Sequence, residues 1–403
     1  MYFLLFNKRK SDVDWFSKGN EVVSSNKYED AIKCYDNAIA NNPSYTDAWL
    51  TKGNILVILG RNEDAIKCYD KVNEIVPSYS DAWFNKGVVF TKLGKYEDAI
   101  KCFEKVNEID PSYSDAWITN GNVLSKLGRY EDAIKYYDKA ILNNQNDASA
   151  WFNKGNSLVD LSKYEEAITC YEKATAIDPN DAYAWKNKGN VLVILKKHEE
   201  AITCYEKATA IDPNYSDAWF NKGNLLAKLE QHEDAIKCYE KATDIDPNCT
   251  ISWITNGNVL SKLGRYEDAI KYYDKAILNN QNDASAWFNK GNSLVDLSKY
   301  EEAITCYEKA TGIDSNDVQS WFNKGNVFAK VGKFEDAIKC YDTVIGISPN
   351  FAPAWFNKGN TLAKLGKLED ACINKGNAFD KLGKHEDAIK YYDQANNVHQ
   401  EYS

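Results

Sequence analysis

The chain has 403 residues, of which 49 are basic and 59 acidic, so its net charge at pH 7 is −10. This acidic balance argues against a nucleic-acid backbone or an anionic membrane surface as the main partner. No apolar run approaches the roughly 18 residues that a membrane-spanning helix requires. Length alone would suggest two or three domains.

The chain begins with MYFLLFNKRKS, residues 1–11, which do not share the pattern of the rest. Their apolar run is too short for a secretory signal, and the basic cluster follows the run instead of preceding it. We predict that residues 1–11 are an N-terminal extension or a cap on the first helix. A cytoplasmic location follows by default.

From residue 12 onward the sequence repeats with a period of 34 residues, which overrides the prediction from length. The repeat also predicts the secondary structure. If the tryptophan is numbered as position 4, glycine holds position 8, alanine position 20, Tyr or Phe position 24 and usually proline position 32. The tryptophans that define the period are Trp15, Trp49, Trp83, Trp117, Trp151, Trp185, Trp219, Trp253, Trp287, Trp321 and Trp355.

Each unit predicts two helices. In the third unit, Trp83, Gly87 and Phe90 recur at helical spacing, and a second face begins at Tyr96 after a glycine break. Pro111 ends the second helix because proline cannot continue one. Neither helix could bury its face alone, so stability is shared along the array.

This pattern resembles the tetratricopeptide repeat, a helix–turn–helix unit with W, G, A, F and P at such spacings. The resemblance implies an all-α fold, a right-handed solenoid (superhelix) of stacked antiparallel helix pairs. We predict three regions: the extension over 1–11, an array over 12–367 with eleven repeat starts of which the last is truncated, and an irregular partial repeat and tail over 368–403.

Two irregularities interrupt the array. The segment 117–175 is identical to 253–311, four periods later, which indicates that a four-unit block was copied. Near the end, Gly359 and Gly376 share a unit position but are half a period apart, so one helix is missing. We therefore expect residues from Leu368 onward not to repeat the earlier helix pairing faithfully.

Cysteine and histidine follow the period, which favours packing over chemistry. Eight of the ten cysteines hold position 23, where we expect small buried residues and no disulfide or metal site. His198, His232 and His385 replace aromatic residues at position 17. The sequence contains no phosphate loop, dinucleotide fingerprint or nucleophile motif. We predict no catalytic, cofactor or metal site, and so not an enzyme.

Function is therefore expected on the surface between repeats. The resemblance implies that first-helix positions 2, 5, 6, 9, 12 and 13 line a concave groove. Position 5 is mostly apolar, whereas positions 6 and 9 are mostly asparagine, whose amide can both donate to and accept from a peptide backbone. Asparagine at position 9 could instead bond between helices as part of the scaffold. The candidate groove residues are Phe84, Asn85, Phe152, Asn153, Asn156, Lys186, Asn187, Asn190, Phe220, Asn221, Asn224, Phe288, Asn289, Asn292, Phe322, Asn323 and Asn326.

A lysine row departs from the family, which usually has leucine at position 7. We expect each lysine stem to pack while its ammonium reaches solvent or a helix carboxylate. The row comprises Lys18, Lys52, Lys86, Lys154, Lys188, Lys222, Lys290, Lys324 and Lys358.

Three partner hypotheses follow. The first is a non-catalytic scaffold that binds extended or helical peptide segments of other proteins. The second, from a similar asparagine ladder in O-linked N-acetylglucosamine transferases, is a substrate-recruiting arm whose catalytic domain is absent from this chain. The third is the family's carboxylate clamp for chaperone tails. Lys186, Asn190 and Asn221 match it, but Ile251 and Thr255 stand where it needs basic residues, so we disfavour it.

Overall fold

The computed structural model describes residues 11–402, and the side chains of 400–402 lie outside the described part. All but the last residue of the predicted 1–11 extension therefore lie outside it. The regular structure of the described residues is entirely α-helical, as predicted, and the helix pairs form a solenoid. The helices are α1 Asp12–Val23, α2 Tyr28–Asn41, α3 Thr46–Ile58, α4 Asn62–Ile75, α5 Ser80–Lys92, α6 Tyr96–Ile109, α7 Ser114–Lys126, α8 Tyr130–Asn143, α9 Ala148–Asp160, α10 Tyr164–Ile177, α11 Ala182–Ile194, α12 His198–Ile211, α13 Ser216–Lys228, α14 His232–Ile245, α15 Thr250–Lys262, α16 Tyr266–Asn279, α17 Ala284–Asp296, α18 Tyr300–Ile313, α19 Val318–Lys330, α20 Phe334–Ile347, α21 Ala352–Lys364, α22 Leu368–Lys381 and α23 His385–Tyr402.

The chain divides into two compact units, the first ending at Lys207 and the second beginning at Ala208, within α12. Within each unit, helices that are consecutive in sequence pack against each other. This arrangement buries in every repeat the apolar faces that the 34-residue period predicts.

The turn inside a repeat is set by position 15. In the third repeat Gly94 has φ +73°, its N–H donates to the Thr91 carbonyl, and the N–H of the next residue donates to the Phe90 carbonyl. This pair of bonds is the Schellman arrangement, which satisfies the last carbonyls of α5 and suits glycine. At the other end of the repeat, α6 stops at Ile109, two residues before Pro111.

The glycine at position 8 makes room for the aromatic residue at position 24. A Cβ atom on Gly325 would lie 2.8 Å from Cε1 of Tyr341, closer than real Cβ contacts come. Tyr341 is 1% exposed, and Ala337 at position 20 is fully buried. The close approach that the sequence predicts is therefore an approach of the first helix to this ring.

All the tryptophans except Trp253 are less buried than a core residue. Trp83 is half-buried, and its Nε1–H donates to the carbonyl of Pro77 at 3.0 Å. Position 24, not position 4, supplies the largest fully buried side chains. The tryptophan thus covers the loop that joins two repeats, so its loss costs less than the removal of a fully buried ring.

Most repeats join the preceding one through the position-7 lysine. Lys154 Nζ lies 2.6 Å from Asp138 Oδ1 of the preceding repeat and 5.6 Å from the centre of the Trp151 ring, while Cys170 is buried beside them. We call this joint the lysine seam. It confirms that the lysine stem packs and that its ammonium reaches a helix carboxylate.

The fourth and eighth repeats join differently. Asn120 replaces the lysine and is fully buried, and Tyr136 replaces the cysteine. The Tyr136 hydroxyl donates to Glu104 of the preceding repeat at 3.0 Å, and in the eighth repeat Tyr272 donates to Glu240 at 2.9 Å. We call this joint the tyrosine seam.

The half-period deletion produces a helix with two roles. The start of α22 follows α21 as a second helix, and its later part serves as a first helix for α23. There, a Cβ on Gly376 would clash with the Tyr392 ring, and the Tyr392 hydroxyl donates to Asn377 at 2.9 Å. The usual pairing is thus regained at α22–α23. Among the described helix pairs only α21–α22 lacks it, because Gly359 faces the Ala371 carbonyl and Lys375 instead of an aromatic ring.

Candidate peptide-binding groove

Positions 6, 9, 12 and 13 of neighbouring first helices share one surface. In the second unit, α17 and α19 line an open depression of about 310 Å³ that includes Asn292, Asp296 and Asn323. The next depression, of about 300 Å³, lies between α19 and α21 and includes Asn326 and Asn357. These are the positions that the resemblance implies for a groove.

Hydrogen bonds fix the asparagines on this surface. The hydroxyl of the position-24 tyrosine donates to the position-9 asparagine of the same repeat, as Tyr341 does to Asn326 Oδ1 at 2.9 Å. The same Oδ1 accepts a second bond from the position-6 asparagine of the next repeat, Asn357 Nδ2 at 2.8 Å. The asparagine pairs of this kind are Asn54–Asn85, Asn156–Asn187, Asn292–Asn323 and Asn326–Asn357.

Each pair has spare hydrogen-bonding capacity toward the groove. In the Asn326–Asn357 pair, Asn326 uses its Oδ1 and keeps its Nδ2, while Asn357 keeps its Oδ1. If both amides were turned over, the roles of the two residues would exchange, yet one donor and one acceptor would remain. The scaffold and ligand roles of position 9 are therefore compatible.

The predicted groove residues fall into three groups. Those in asparagine pairs are Asn85, Asn156, Asn187, Asn292, Asn323 and Asn326. Asn153 and Asn289 make no such pair among the described residues, although both are half-buried on α9 and α17. Lys186, Asn190, Asn221 and Asn224 lie on α11 and α13, and Asn224 is the exposed member.

The aromatic residues at position 5 belong partly to the scaffold. Phe84 is half-buried, and its ring centre lies 5.6 Å from that of Phe103 and 5.2 Å from that of Tyr113. Phe152, Phe220, Phe288 and Phe322 likewise contact the position-24 tyrosine of their own repeat. None of these rings lines the two depressions between α17 and α21.

The tyrosine hydroxyl under the asparagines is a residue role that the sequence prediction missed. The signal was present: the third repeat has Phe103 without a hydroxyl at position 24, and the same repeat has Val88 instead of asparagine at position 9. Burial raises the pKa of Tyr35, a member of this tyrosine row, to about 12. The phenols are therefore neutral donors at physiological pH.

Charge on the groove surface comes from position 13. Lys330 and Lys364 line the depression at α19–α21, and Asp296 lines the preceding one. The two ammonium groups lie 4.8 Å and 5.5 Å from the centres of the Tyr300 and Phe334 rings. Neither pairs with a carboxylate among the described residues, in contrast to the position-7 lysines.

No described helix is both long and apolar enough to cross a membrane. The described residues also contain no group of three or more His, Cys, Asp or Glu side chains that could hold a metal ion. The cysteines at position 23 are buried, and burial raises the pKa of Cys68 to about 11. His198 and His232 are half-buried at position 17, as expected for packing residues.

Four sequence models of the repeat match most of the array, from residue 53 onward. Together they cover residues 53–249, 251–366 and 369–398 almost without a gap. The chain belongs to the tetratricopeptide repeat family. One model, described as "Tetratricopeptide repeat", matches residues 80–113, 114–147, 216–249 and 251–283. A second, described as "TPR repeat", matches residues 53–94, 155–193, 189–230, 291–332 and 325–366. The other two, both described as "Tetratricopeptide repeat", match residues 136–169 and 272–305, and 369–398.

The chain is also similar to several solved structures. The C-terminal part of a TPR repeat-containing protein from Cytophaga hutchinsonii is 15% identical over 60% of this chain and 98% of its own, with a TM-score of 0.54. YrrB, described as a TPR protein with an unusual peptide-binding site, is 27% identical over 47% of this chain and 97% of its own, with a TM-score of 0.42. Yeast Tom70 is 15% identical over 96% of both chains, with a TM-score of 0.40. No curated protein sequence matches the chain.

Tetratricopeptide arrays bind other proteins, and this chain is accordingly a protein-interaction scaffold.

Proposed function

We propose that the protein is a non-catalytic scaffold that binds an extended peptide segment along the first-helix surface of its repeats. The observation that carries the proposal is the asparagine pair, which offers one donor and one acceptor in a fixed orientation at successive repeat junctions. A peptide group has the complementary acceptor and donor, and neither depends on its side chain. The scaffold would therefore recognise peptide backbone and tolerate different sequences.

The spacing of the pairs suits an extended chain. Packed helices are typically about 10 Å apart, which we take as the spacing of neighbouring first helices. An extended peptide advances about 3.3 Å per residue, so roughly every third residue would meet an asparagine pair. The consecutive pairs Asn292–Asn323 and Asn326–Asn357 would thus hold two peptide groups of one segment. Lys330 and Lys364 would favour a segment with acidic side chains there.

The test replaces the position-6 members of three asparagine pairs. A peptide is first selected from a displayed random library on the purified full chain. Its affinity is then measured for the variant Asn187→Ala/Asn323→Ala/Asn357→Ala. We expect binding to weaken at least about tenfold, since each lost hydrogen bond is worth roughly 1 kcal/mol. An unchanged affinity would refute the proposal.

The matched control removes three asparagines from exposed interhelical loops, Asn146→Ala/Asn180→Ala/Asn282→Ala. The affinity of this variant should equal that of the wild type. Thermal unfolding of both triple variants shows whether the scaffold is intact, which we expect because the tyrosine bonds to position 9 remain.

The glycosyltransferase arm remains a prediction, and no observation on this chain favours it over the non-catalytic scaffold. Chaperone-tail capture stays disfavoured, because Ile251 and Thr255 supply no charge for a carboxylate.

A further inference from the structure

Lysine seams place an ammonium group between a tryptophan and a carboxylate of the preceding repeat. Lys86 shows this geometry in the third repeat, 5.2 Å from the centre of the Trp83 ring and 2.5 Å from Asp70 Oδ1. The fourth repeat keeps the tryptophan, Trp117, and the carboxylate, Glu104, but has lost the lysine. The tryptophan face and the carboxylate are thus retained, and the Tyr136 hydroxyl replaces the ammonium as the donor to Glu104.

An open cleft lies at this junction. It has a volume of about 250 Å³ and is lined by Glu104, Asn107, Glu108, Trp117 and Tyr136. We call it the aromatic–acidic cleft. The centres of its two rings lie 5.6 Å apart at an interplanar angle of 46°, and the Trp117 Nε1–H is held by the Pro111 carbonyl at 2.9 Å. The cleft therefore combines fixed aromatic faces with two carboxylates.

The polar groups of the cleft are incompletely satisfied. Asn107 is 6% exposed, and neither its Oδ1 nor its Nδ2 has a hydrogen-bond partner among the described residues. Within the described part of the chain, Glu104 accepts only the Tyr136 hydroxyl, and Glu108 pairs only with the exposed Lys105, at 2.9 Å. A buried amide without a partner is unusual and indicates a group or water that completes it. An ammonium donor could bond to the Asn107 carbonyl oxygen and to Glu104.

The identical segment four repeats later shows which group fits over these rings. There Lys275 Nζ lies 4.3 Å from the centre of the Trp253 ring and 5.5 Å from that of Tyr272, and Trp253 is only 7% exposed. The equivalent residue in the fourth repeat, Lys139, is exposed and covers neither ring in the described structure. The same aromatic pair therefore binds an ammonium in one copy and is open in the other.

We propose that the aromatic–acidic cleft binds an alkylammonium group, either a free amine or the lysine side chain of another protein. Attraction to the tryptophan face and to Glu104 would provide the affinity. The cleft is formed by second-helix and first-helix positions outside the asparagine groove, so this proposal does not depend on the proposed peptide binding.

The test uses the full chain labelled with 5-fluorotryptophan and followed by fluorine NMR, with the resonances assigned by Trp→Phe substitution. Two probes separate the sources of the group: n-butylammonium, and the peptide acetyl-Gly-Lys-Gly-amide. We expect a saturable shift of the Trp117 resonance and none of Trp253. The same peptide with an acetylated lysine should leave both resonances unchanged. Binding of butylammonium alone would assign the cleft to small amines, and binding of both probes to lysine side chains as well.

Variants sharpen the result. Glu104→Gln should weaken binding about tenfold, the size expected when a cation loses a close carboxylate. Glu97→Gln, on the same helix but away from the cleft, should not change it. Lys275→Ala should make the Trp253 resonance respond as Trp117 does.

Three outcomes would overturn the proposal. One is the absence of a saturable Trp117 shift with either probe. Another is an equal shift with the acetylated peptide. The third is a response that appears only after Lys139→Ala, since the chain's own lysine would then fill the cleft.

Discussion

The lysine seam and the tyrosine seam both join a repeat to the preceding one, the first through a charged donor and the second through a neutral one. In the lysine seam a charged group, Lys154, joins a repeat to Asp138 of the preceding one, and the neighbouring Cys170 is small. In the tyrosine seam a neutral phenol, Tyr136, reaches the equivalent carboxylate, and the neighbouring Asn120 is small and fully buried. Positions 7 and 23 have changed together, in both the fourth and the eighth repeat.

In both seams the carboxylate at position 25 of the preceding repeat is the partner. The donor differs, and is the position-7 lysine in one seam and the position-23 tyrosine in the other. A large donor at one position requires a small residue at the other, because both occupy the same space under the tryptophan. The seam therefore tolerates paired changes and should not tolerate single ones.

The largest effect is expected from a half-completed exchange. Asn120→Lys alone would force an ammonium into a fully buried position where Tyr136 already occupies the space and the carboxylate. We expect a loss of about 3 kcal/mol in the free energy of unfolding of the first unit, the usual size for an uncompensated buried charge. Urea unfolding followed by tryptophan fluorescence measures the loss.

The double variant Asn120→Lys/Tyr136→Cys is the decisive comparison, because it rebuilds a lysine seam. It should recover most of the lost stability, with a coupling energy of about 2 kcal/mol between the two sites. If the stability changes of the two single variants instead add up in the double variant, positions 7 and 23 do not share the space under the tryptophan. The two seams would then not be alternatives to each other.

Some features of the repeats and their seams could be predicted from the sequence, and others could not. The periodicity of the sequence predicts the helix pairs, the turn at Gly94 and the buried cysteines, because nearly every repeat indicates the same local structure. The tyrosine seam does not, since it joins Tyr136 to Glu104 of another repeat and becomes visible only when the two substitutions are placed side by side. The hydrogen bonds that Asn326 accepts from a tyrosine and a neighbouring asparagine likewise depend on side-chain orientation. The dual role of α22 could not be predicted from the deletion. One helix can pack against two different neighbours, and the spacing of residues in the sequence does not show this.

The lysine seam and the tyrosine seam should also differ, by a smaller amount, in the stability that is lost when their carboxylate is neutralised. Asp138→Asn leaves the Lys154 ammonium, whose side chain is 20% exposed, without its carboxylate, and should cost about 1 kcal/mol. Glu104→Gln in the tyrosine seam keeps an acceptor for a neutral donor and should cost about half as much. The two losses are measured by urea unfolding in low salt and in 1 M NaCl.

Only the Asp138→Asn loss should shrink in high salt, since screening weakens ion pairs and leaves neutral hydrogen bonds almost unchanged. Lys339→Ala, which removes an exposed pair with Asp336, serves as the control for surface charge. An equal salt response of both seam variants would show that the phenol seam is also electrostatic.

Reactivity of the position-23 thiols gives a further, smaller distinction. The lysine-seam cysteines are buried, and burial raises the pKa of Cys102 and Cys170 to about 11. The half-exposed Cys249 and Cys372 lie outside the seams. We expect a thiol reagent at pH 8 to modify these two rapidly in the native chain and the seam cysteines only on unfolding. In the Asn120→Lys/Tyr136→Cys variant the added cysteine should be protected too, and rapid modification of it would show that the rebuilt seam is open.

The smallest effect concerns pH. Burial, followed by the nearby Glu104, raises the pKa of Tyr136 to about 12, whereas an unfolded tyrosine ionises near 10. The phenol's contribution to stability is therefore complete below pH 10 and is lost as the pH rises through about 12, because the ionised phenolate cannot donate to Glu104 and repels it. Tyr136→Phe removes this contribution at every pH. The difference in unfolding midpoint between wild type and Tyr136→Phe should accordingly be constant from pH 7 to 9.5 and diminish above pH 10. A difference that stays constant to pH 12 would mean that the Tyr136–Glu104 bond does not stabilise the tyrosine seam.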